Sequence, residues 1–347
     1  MLFRSDRYLR LTSPGRSSLT IPIFTLIWIV ELYEYQLYSG DSSRTSAWLG
    51  QVDRILDRAL EDEVPGFPGL HHPGDSKEAK LWNFCEWNGV LSSLNGTPQS
   101  PYNIYLCEAL RAAAAMHGSV GDDARAKTLR AAADAIAKAV GRNFFDRSLG
   151  IFTAVAGEAD EGYEHIQLIA LANDLASPEE KEAILKRLAE GSLRPVDLSA
   201  LKYLIDGLIP QGAEARKFLT GYLRRILEPI VLSGATSLWE TRQGGDDFAL
   251  AGSLCHGWSA AMPYFCGKYL LGVRPLSPGF GTFEVKPYAA GLPGASGQVP
   301  TPAGAIRIRW ESSPSGLRVT VRHPAALKCV TAQYEECAVA EWDIAAF

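Results

Sequence analysis

The spacing of apolar residues changes at Gly272, and this change most constrains how the chain can fold. Before it, apolar side chains recur at three- and four-residue steps, as in Val52, Ile55 and Ala59, which is the period of an amphipathic helix. After it, apolar and polar residues alternate, as in the segment 306–310, which is the period of a half-buried strand. The sequence therefore predicts a helical part followed by a small antiparallel β-sandwich.

Helix start and stop signals divide the first part into about nine helices. A turn is predicted at 13–15, Asp41 and Ser100 are predicted N-caps, and residues 177–180 have the pattern of a capping box. Pro229 is expected to end its helix. The predicted helices span approximately 22–38, 41–59, 100–116, 122–140, 166–173, 178–190, 197–208, 213–227 and 254–271.

Composition indicates a globular chain without a nucleic-acid partner. The 347 residues are 47% hydrophobic, which is enough for one large domain and a smaller one. The net charge is −5, and acids and bases are mixed along the sequence without a run of one sign. The six cysteines form no CxxC pair, and the adjacent His71 and His72 point apart in an extended loop. No metal and no cofactor is predicted.

The N-terminal residues do not have the layout of a secretory signal. Charges recur within residues 1–10, where a signal peptide would have an apolar core. The apolar run 21–30 is about half a bilayer span and ends at Glu31. We expect a cytoplasmic protein with a buried helix here and no membrane partner, and the oligomeric state stays open.

Two strings of residues, separated by eleven positions, carry the chemical signal. The first is G-A-T-S-L-W-E-T at 234–241 and the second is S-L-C-H-G-W-S-A at 253–260. In the first, Trp239 adjoins Glu240 in a turn-rich segment, which suits sugar chemistry because a carboxylate can act at an anomeric carbon while an indole stacks on the ring. A Trp-Glu pair alone is more often a core aromatic residue beside a solvated acid.

Together, the two strings resemble those of the bacterial α-L-rhamnosidases of glycoside hydrolase family 78 and their six-hairpin relatives. The resemblance implies an (α/α)6 toroid over residues 1–272, incomplete at its N-terminal end, and a β-sandwich domain over residues 273–347. It implies inverting hydrolysis of terminal α-L-rhamnosides, with Glu240 as the general base that takes a proton from attacking water. The implied partner is a rhamnose-containing carbohydrate.

A second element, L-W-N-F-C-E-W at 81–87, lies in a long loop rich in Gly, Pro and His. Long loops in compact domains are usually functional, and the resemblance places an element of this kind in the sugar pocket. Trp82, Glu86 and Trp87 are therefore predicted substrate contacts. The alternative is an aromatic cluster that packs the loop onto the helices.

Further predicted contacts flank the proposed base. Trp239, Asp247, His256 and Trp258 are expected to bind substrate, with His256 and Trp258 at the start of the last helix. Asp247, with its neighbour Asp246, could instead fix the loop. His256 could instead be a helix-terminal histidine satisfied by the backbone.

The resemblance leaves one chemical role unfilled. The family takes its general acid from a motif upstream of the 21–30 segment, and about nine helices are predicted where a complete barrel has twelve. The remaining candidates, Glu86, Asp246 and Asp247, match no such motif, so an impaired enzyme or a gene fragment is expected. A non-catalytic sugar-binding or scaffolding remnant is one alternative, and a trehalase-like or glucoamylase-like hydrolase on the same toroid is another.

Overall fold

The computed structural model describes residues 8–11, 18–74, 80–158 and 161–347. The predicted turn at 13–15 and the first seven residues lie outside this part. Backbone contacts divide the chain into two compact units. The first is Met1–Tyr33 with Thr45–Pro210, and the second is Glu34–Arg44 with Gln211–Phe347. The domain boundary predicted between residues 272 and 273 differs from this division and stays a prediction.

Up to residue 232, the helices follow the predicted order. They are α1 (Pro22–Ser39), α2 (Ser42–Glu61), α3 (Ser100–Ser119), α4 (Asp123–Phe144), α5 (Glu164–Ala172), α6 (Pro178–Glu190), α7 (Leu201–Leu208) and α8 (Ala213–Leu232). Two short strand pairs accompany them: β1 (Leu19–Thr20) runs parallel to β2 (Lys80–Leu81), and β3 (Phe145–Asp146) runs antiparallel to β4 (Ile151–Phe152).

Burial of α1 and α2 follows their apolar patterns. No residue from Pro22 to Val30 is exposed, because this part of α1 is apolar on nearly every side. Helix α2 buries one stripe, as predicted, and leaves Trp48 half-buried with its indole edge against Trp28, 6.1 Å between ring centres. Within the described residues, no helix combines the length and hydropathy that crossing a bilayer requires.

The predicted caps at Asp41 and Ser177 are confirmed. The Asp41 Oδ1 atom accepts hydrogen bonds from the backbone N–H groups of Ser43 and Arg44, at 3.1 and 3.3 Å. Ser177 and Glu180 form the reciprocal capping box that begins α6. These bonds satisfy N–H groups that the first turn of a helix leaves without partners.

Small residues let the helices of the first unit approach closely. Helix α3 packs along α4, where the Cys107 thiol reaches the Ala133 carbonyl. Helix α5 packs along α7, where a Cβ atom on Gly207 would lie 2.8 Å from the Leu168 carbonyl oxygen. Only glycine allows this backbone contact.

Two predictions about helix ends are wrong. Ser100 lies inside α3, and Gln99 is the N-cap. Pro229 lies inside α8, which continues to Leu232; the loss of one backbone hydrogen bond near the helix end does not outweigh burial of Ile230, only 2% exposed.

The predicted helix 254–271 does not form as one element. It is replaced by a 3₁₀ turn at Gly257–Ser259, a short helix α10 (Ala261–Phe265) and a π turn at Cys266–Leu270. The backbone of His256 is extended, and its N–H group bonds to the Leu238 carbonyl instead of joining a helix. A short helix-like segment, α9 (Asp247–Leu250), precedes it.

The strands of the second unit form two sheets. The strands are β5 (Val273–Pro275), β6 (Thr282–Val285), β7 (Gly294–Val299), β8 (Ile306–Ser313), β9 (Gly316–His323), β10 (Lys328–Thr331) and β11 (Val339–Ala346). One sheet has the order β10-β6-β5 and the other β11-β9-β8-β7. Phe283 on β6 meets His323 on β9 at 5.4 Å between ring centres, so the inner faces of the two sheets are in contact.

The alternation predicted for β6, β8 and β9 is confirmed, because buried residues alternate with more exposed ones along each strand. Trp310 is completely buried, and its indole N–H donates to the Leu270 carbonyl at 2.8 Å. The strand directions are mixed, however: β10 runs parallel to β6 and β11 runs parallel to β9. The purely antiparallel arrangement predicted from the sequence therefore needs this correction.

Candidate functional site

In the second unit, the loop that carries Glu240 pairs with the segment that carries His256. The Glu240 N–H group donates to the Ser253 carbonyl at 2.8 Å, and the His256 N–H group donates to the Leu238 carbonyl at 2.9 Å. The Glu240 Oε2 atom also accepts from the Ser253 N–H group at 3.4 Å. We call residues 238–259 the Trp-Glu loop. The segments that carry the two strings, 234–241 and 253–260, thus lie side by side in space.

Contacts from the second string hold Trp239 and Glu240 in place. The indole N–H of Trp258 donates to the Glu240 carbonyl at 2.8 Å, and the Ser259 hydroxyl donates to the Trp239 carbonyl. Gly244 lies flat on the Trp239 indole, where an added Cβ atom would be 2.5 Å from the ring. Trp239 and Glu240 are both half-buried, so the carboxylate is held without being enclosed.

His256 makes the backbone contact that the alternative interpretation anticipated. Its Nδ1 atom accepts from the Trp258 N–H group at 3.4 Å and caps the 3₁₀ turn that follows. The His256 ring also lies over the Trp258 indole, with 4.1 Å between ring centres. With Nδ1 as acceptor, the proton of a neutral ring is on Nε2. The structure thus leaves Nε2 as the ring atom suited to donate to a ligand.

Asp247 fixes the loop. Its Oδ2 atom accepts from the Thr241 hydroxyl at 2.7 Å, and its Oδ1 atom accepts from the Phe248 N–H group at 2.8 Å. The next three residues, Phe248 to Leu250, have φ values of 50, 57 and 70°, a left-handed conformation that costs energy for residues other than glycine. These contacts favour the loop-fixing role of Asp247 over direct contact with a sugar.

In the first unit, Trp82, Phe84 and Trp87 form what we call the aromatic cluster. Their ring centres lie 4.7 to 5.5 Å apart. Phe84 is buried, whereas the two indoles are half-buried. The indole N–H group of Trp82 donates to the Ser92 carbonyl at 2.8 Å. The cluster therefore packs the loop, as the alternative interpretation states, while leaving part of each indole uncovered.

Glu86 is fully buried, at 0% exposure, beneath this cluster. Its Oε1 atom accepts from the Asp197 N–H group at 2.8 Å and from the Ser199 hydroxyl at 3.1 Å. Its Oε2 atom faces the Nδ1 atom of His165 at 3.2 Å. The prediction that Glu86 contacts substrate directly disagrees with this burial, because both oxygens face protein groups. A positioning role fits these contacts.

His165 was missed by sequence reasoning. It lies in the first turn of α5 and is 2% exposed. Burial alone lowers the pKa of its imidazole, but the neighbouring Cys85, Tyr105 and Glu86 together raise that pKa well above its usual value. A single histidine in an apolar helix carries no pattern, so only its three-dimensional neighbours could identify it.

A groove of about 570 Å³ also lies in the first unit. Its size is within the range of small-molecule sites, and it adjoins the loop that carries the aromatic cluster. Ser93, Leu94, Asn95, Val155, Glu158 and Tyr163 are among its lining residues. None of them was singled out from the sequence. Among the described residues, no group of three acidic, histidine or cysteine side chains could hold a metal ion.

The predicted site residues thus form two groups. Trp82, Glu86 and Trp87 are together in the first unit, and Trp239, Glu240, Asp247, His256 and Trp258 are together in the second. That the two groups form one site stays a prediction.

Helical hairpins followed by a two-sheet β part define a class of fold, that of the six-hairpin glycosidases. Residues 272–332 match the family model described as the bacterial alpha-L-rhamnosidase C-terminal domain. The resemblance to bacterial α-L-rhamnosidases, stated from the sequence strings, is confirmed by this match and by the fold. No curated protein matches the chain in sequence.

Several solved structures share the fold. A GH78 family rhamnosidase of Bacillus sp. GL1 matches with a TM-score of 0.83 and 22% identity, over 96% of this chain and 35% of that one. An α-L-rhamnosidase of Aspergillus terreus matches with a TM-score of 0.75 and 15% identity, over 93% and 38%. A Streptomyces avermitilis α-L-rhamnosidase complexed with L-rhamnose matches with a TM-score of 0.71 and 16% identity, over 94% and 31%. The chain thus spans about a third of the length of these proteins, and the predicted fold class is confirmed.

Proposed function

We propose that the chain is a glycoside hydrolase of the α-L-rhamnosidase type, which hydrolyses terminal α-L-rhamnosides with inversion. Glu240 is the general base in this proposal. The observation that carries it is the geometry of the Trp-Glu loop, in which Trp258 and Ser253 hold the backbone and the carboxylate of Glu240. The rhamnosidase fold and the match at residues 272–332 support the substrate class.

Inverting hydrolysis requires a carboxylate that is held in place and is accessible to water. An inverting enzyme activates water with its base and protonates the leaving oxygen with an acid, and the two carboxyl groups are roughly 6.5 to 9.5 Å apart. A half-buried Glu240 beside two indoles can take the water's proton while the sugar ring stacks on an aromatic face. In this proposal Trp239, Trp258 and His256 contact the sugar in the second unit, and Trp82 and Trp87 are a separate proposed stacking surface in the first unit.

The general acid has no assigned residue in this proposal. Glu86 is enclosed by protein groups and Asp247 is engaged by Thr241 and Phe248, so neither is suited to donate a proton to a leaving group. We therefore propose that hydrolysis by this chain is slow, because general acid catalysis contributes typically about 10²–10⁴-fold to the rate. Aryl rhamnosides, whose leaving groups need less protonation, are the substrates of choice for a test.

The test compares the parent chain with Glu240→Gln. Release of rhamnose from an aryl α-L-rhamnoside should fall by about 10²–10⁴-fold, the contribution of a general base, while rhamnose affinity measured by calorimetry stays within about threefold, since the glutamine keeps the side chain's shape. The product anomer, followed by NMR, should be inverted. Glu335→Gln, at an exposed position of the β part, is the matched control and should behave as the parent.

Two outcomes would change the conclusion. If the parent neither releases rhamnose nor binds it, the rhamnosidase proposal is wrong. If the parent binds rhamnose but releases none, the chain is the non-catalytic sugar-binding protein that its half-buried indoles also permit.

A further inference from the structure

A buried network of titratable groups converges on the imidazole of His165. The Nε2 atom is 3.0 Å from the Tyr105 hydroxyl and 3.7 Å from the Cys85 thiol. The Nδ1 atom is 3.2 Å from Glu86 Oε2. Each of these four residues is at most 5% exposed. No step of the proposed hydrolysis uses them.

The groups that face His165 come from the loop 81–95, α3, α7 and α5 itself. The loop 81–95 contributes Cys85 and Glu86, and α3 contributes Tyr105. Helix α7 contributes Tyr203, whose ring lies 6.2 Å from the imidazole centre and whose hydroxyl donates to Glu108 on α3 at 3.2 Å. On α5 itself, the neighbouring Glu164 directs its Oε2 atom to the Val196 N–H group at 3.1 Å. Among these described groups, all the ionisable neighbours are acidic.

One proton is needed to satisfy the contact between His165 and Glu86. Glu86 Oε1 already accepts two hydrogen bonds, whereas Glu86 Oε2 and His165 Nδ1 make no well-aligned hydrogen bond to any described residue. Buried polar atoms without a partner are unfavourable. A proton on Nδ1 gives the carboxylate its donor and leaves Nε2 to interact with Tyr105.

This contact bears directly on the aromatic cluster. Cys85 and Glu86 lie between Phe84 and Trp87 in the chain, so the groups that His165 holds are the immediate neighbours of two cluster members. Glu86 ties the same loop to Asp197 and Ser199, and the Asn88 side chain ties it to the Pro195 carbonyl at 2.6 Å. The orientation of Trp87 therefore depends on how Glu86 is held.

We propose that His165 is a positioning residue: paired through its proton with Glu86, it holds Trp87 and the aromatic cluster in the arrangement that stacks on sugar. The inference rests on the proposed function for the identity of the ligand. Loss of the positive charge, which leaves a neutral ring with one N–H, weakens the pairing with Glu86, loosens the loop and weakens sugar binding. His165 touches no substrate and is not a catalytic residue.

The direction of the pH dependence follows from the neighbours of the ring. They raise the pKa of His165 above its usual value, so the imidazole keeps its positive charge to a higher pH than an exposed histidine does and becomes neutral as the pH rises. Because the folded-state pKa lies above the value of about 6.5 expected in the unfolded chain, the pair's contribution to stability is complete below that pH. It disappears as the pH rises through the folded-state pKa.

The experiment measures rhamnose affinity by calorimetry from about pH 6 to about pH 10, a range that covers a raised histidine pKa. His165→Leu removes the donor and should weaken binding by about tenfold at neutral pH, the effect of losing one ordered anchor. His165→Asn places an amide N–H near the position of Nδ1 and cannot titrate. Because its N–H is neutral, it should restore only part of the affinity at neutral pH, and it should abolish the decline at high pH. His72→Gln, in another loop of the first unit, is the control and should follow the parent.

A second readout requires no sugar. The fluorescence difference between the parent and Trp87→Phe reports on Trp87, and it should titrate in the parent with a midpoint above about pH 6.5 but stay flat on the His165→Asn background. Thermal melting confirms that each variant is folded. If this titration persists without His165, or if His165→Leu binds rhamnose as the parent does, the positioning role is wrong. If the parent binds no rhamnose while Trp87 titrates as expected, only the proposed ligand is wrong.

Discussion

At the scale of single residues, the Trp-Glu loop depends on one glycine, Gly244, that makes room for an indole. Gly244 has a φ of 59°, and an added Cβ atom would lie 2.5 Å from the Trp239 ring. Gly234 has a φ of 76°, but nothing lies within 4 Å of an added Cβ atom. Both glycines have a positive φ that other residues adopt with strain, but only at Gly244 would a side chain also collide with the indole.

This difference gives a matched pair of variants. Gly234→Ala should lower the free energy of unfolding by about 1 kcal/mol because alanine is strained at positive φ. Gly244→Ala should lower it by more, because its Cβ atom would also collide with the Trp239 ring. Gly244→Ala should also displace Trp239 and reduce the release of rhamnose from an aryl rhamnoside by about tenfold or more, since small misplacements at a site are costly. Equal rates for the two variants would show that the indole contact has no role in turnover.

At the same scale, sequence strings predict the surroundings of Glu240, whereas no sequence pattern predicts the environment of Glu86. The strings around Glu240 are local, and Ser253 and Trp258 lie only 13 and 18 positions from it. The partners of Glu86, Asp197 and Ser199, lie 111 and 113 positions away. No periodicity or motif connects such distant residues, so the burial of Glu86 could be recognised only from the fold.

At the scale of elements, helices were predictable where their own residues determine them. The capping box of α6 is local, and both of its reciprocal bonds form. The segment 254–271 was mistaken for a helix because its aromatic and apolar residues mimic a helical stripe. In fact, His256 has an extended backbone, and its N–H group bonds to the Leu238 carbonyl. The parallel pairs β10-β6 and β11-β9 were missed for a similar reason: alternation predicts a strand but not the direction of its neighbour.

The cap of α6 can be measured directly. Ser177→Ala removes the hydroxyl that accepts from the Glu180 N–H group at 3.3 Å, and it should lower the free energy of unfolding in urea by about 1 kcal/mol. Ser177→Asn supplies a side-chain oxygen of equal capping strength and should retain nearly all of the stability. A loss of the same size in both variants would contradict a capping role for the hydroxyl.

At the scale of the whole molecule, the change from helical to strand period was enough to predict a helical part followed by a β part, because it reflects which faces of each element are buried. The toroid was implied by the resemblance to a known family. The sequence did not reveal how the chain divides into compact units. Residues 34–44 belong with Gln211–Phe347, although they are far from that segment in sequence. The apolar pattern of the 22–38 helix is continuous and has no mark at this division.

The bond between Glu86 and Asp197 has a consequence for the order of events during folding. The α3–α4 hairpin joins neighbours in the chain and can close early, whereas the Glu86–Asp197 bond spans 111 positions, and such distant pairings form late. In pulse-labelling hydrogen exchange during refolding, the Asp197 amide should gain protection after the amides inside α3 and α4, and simultaneous protection would contradict this order. During synthesis, the indole surface would thus remain unfinished until the ribosome has released the segment that completes it.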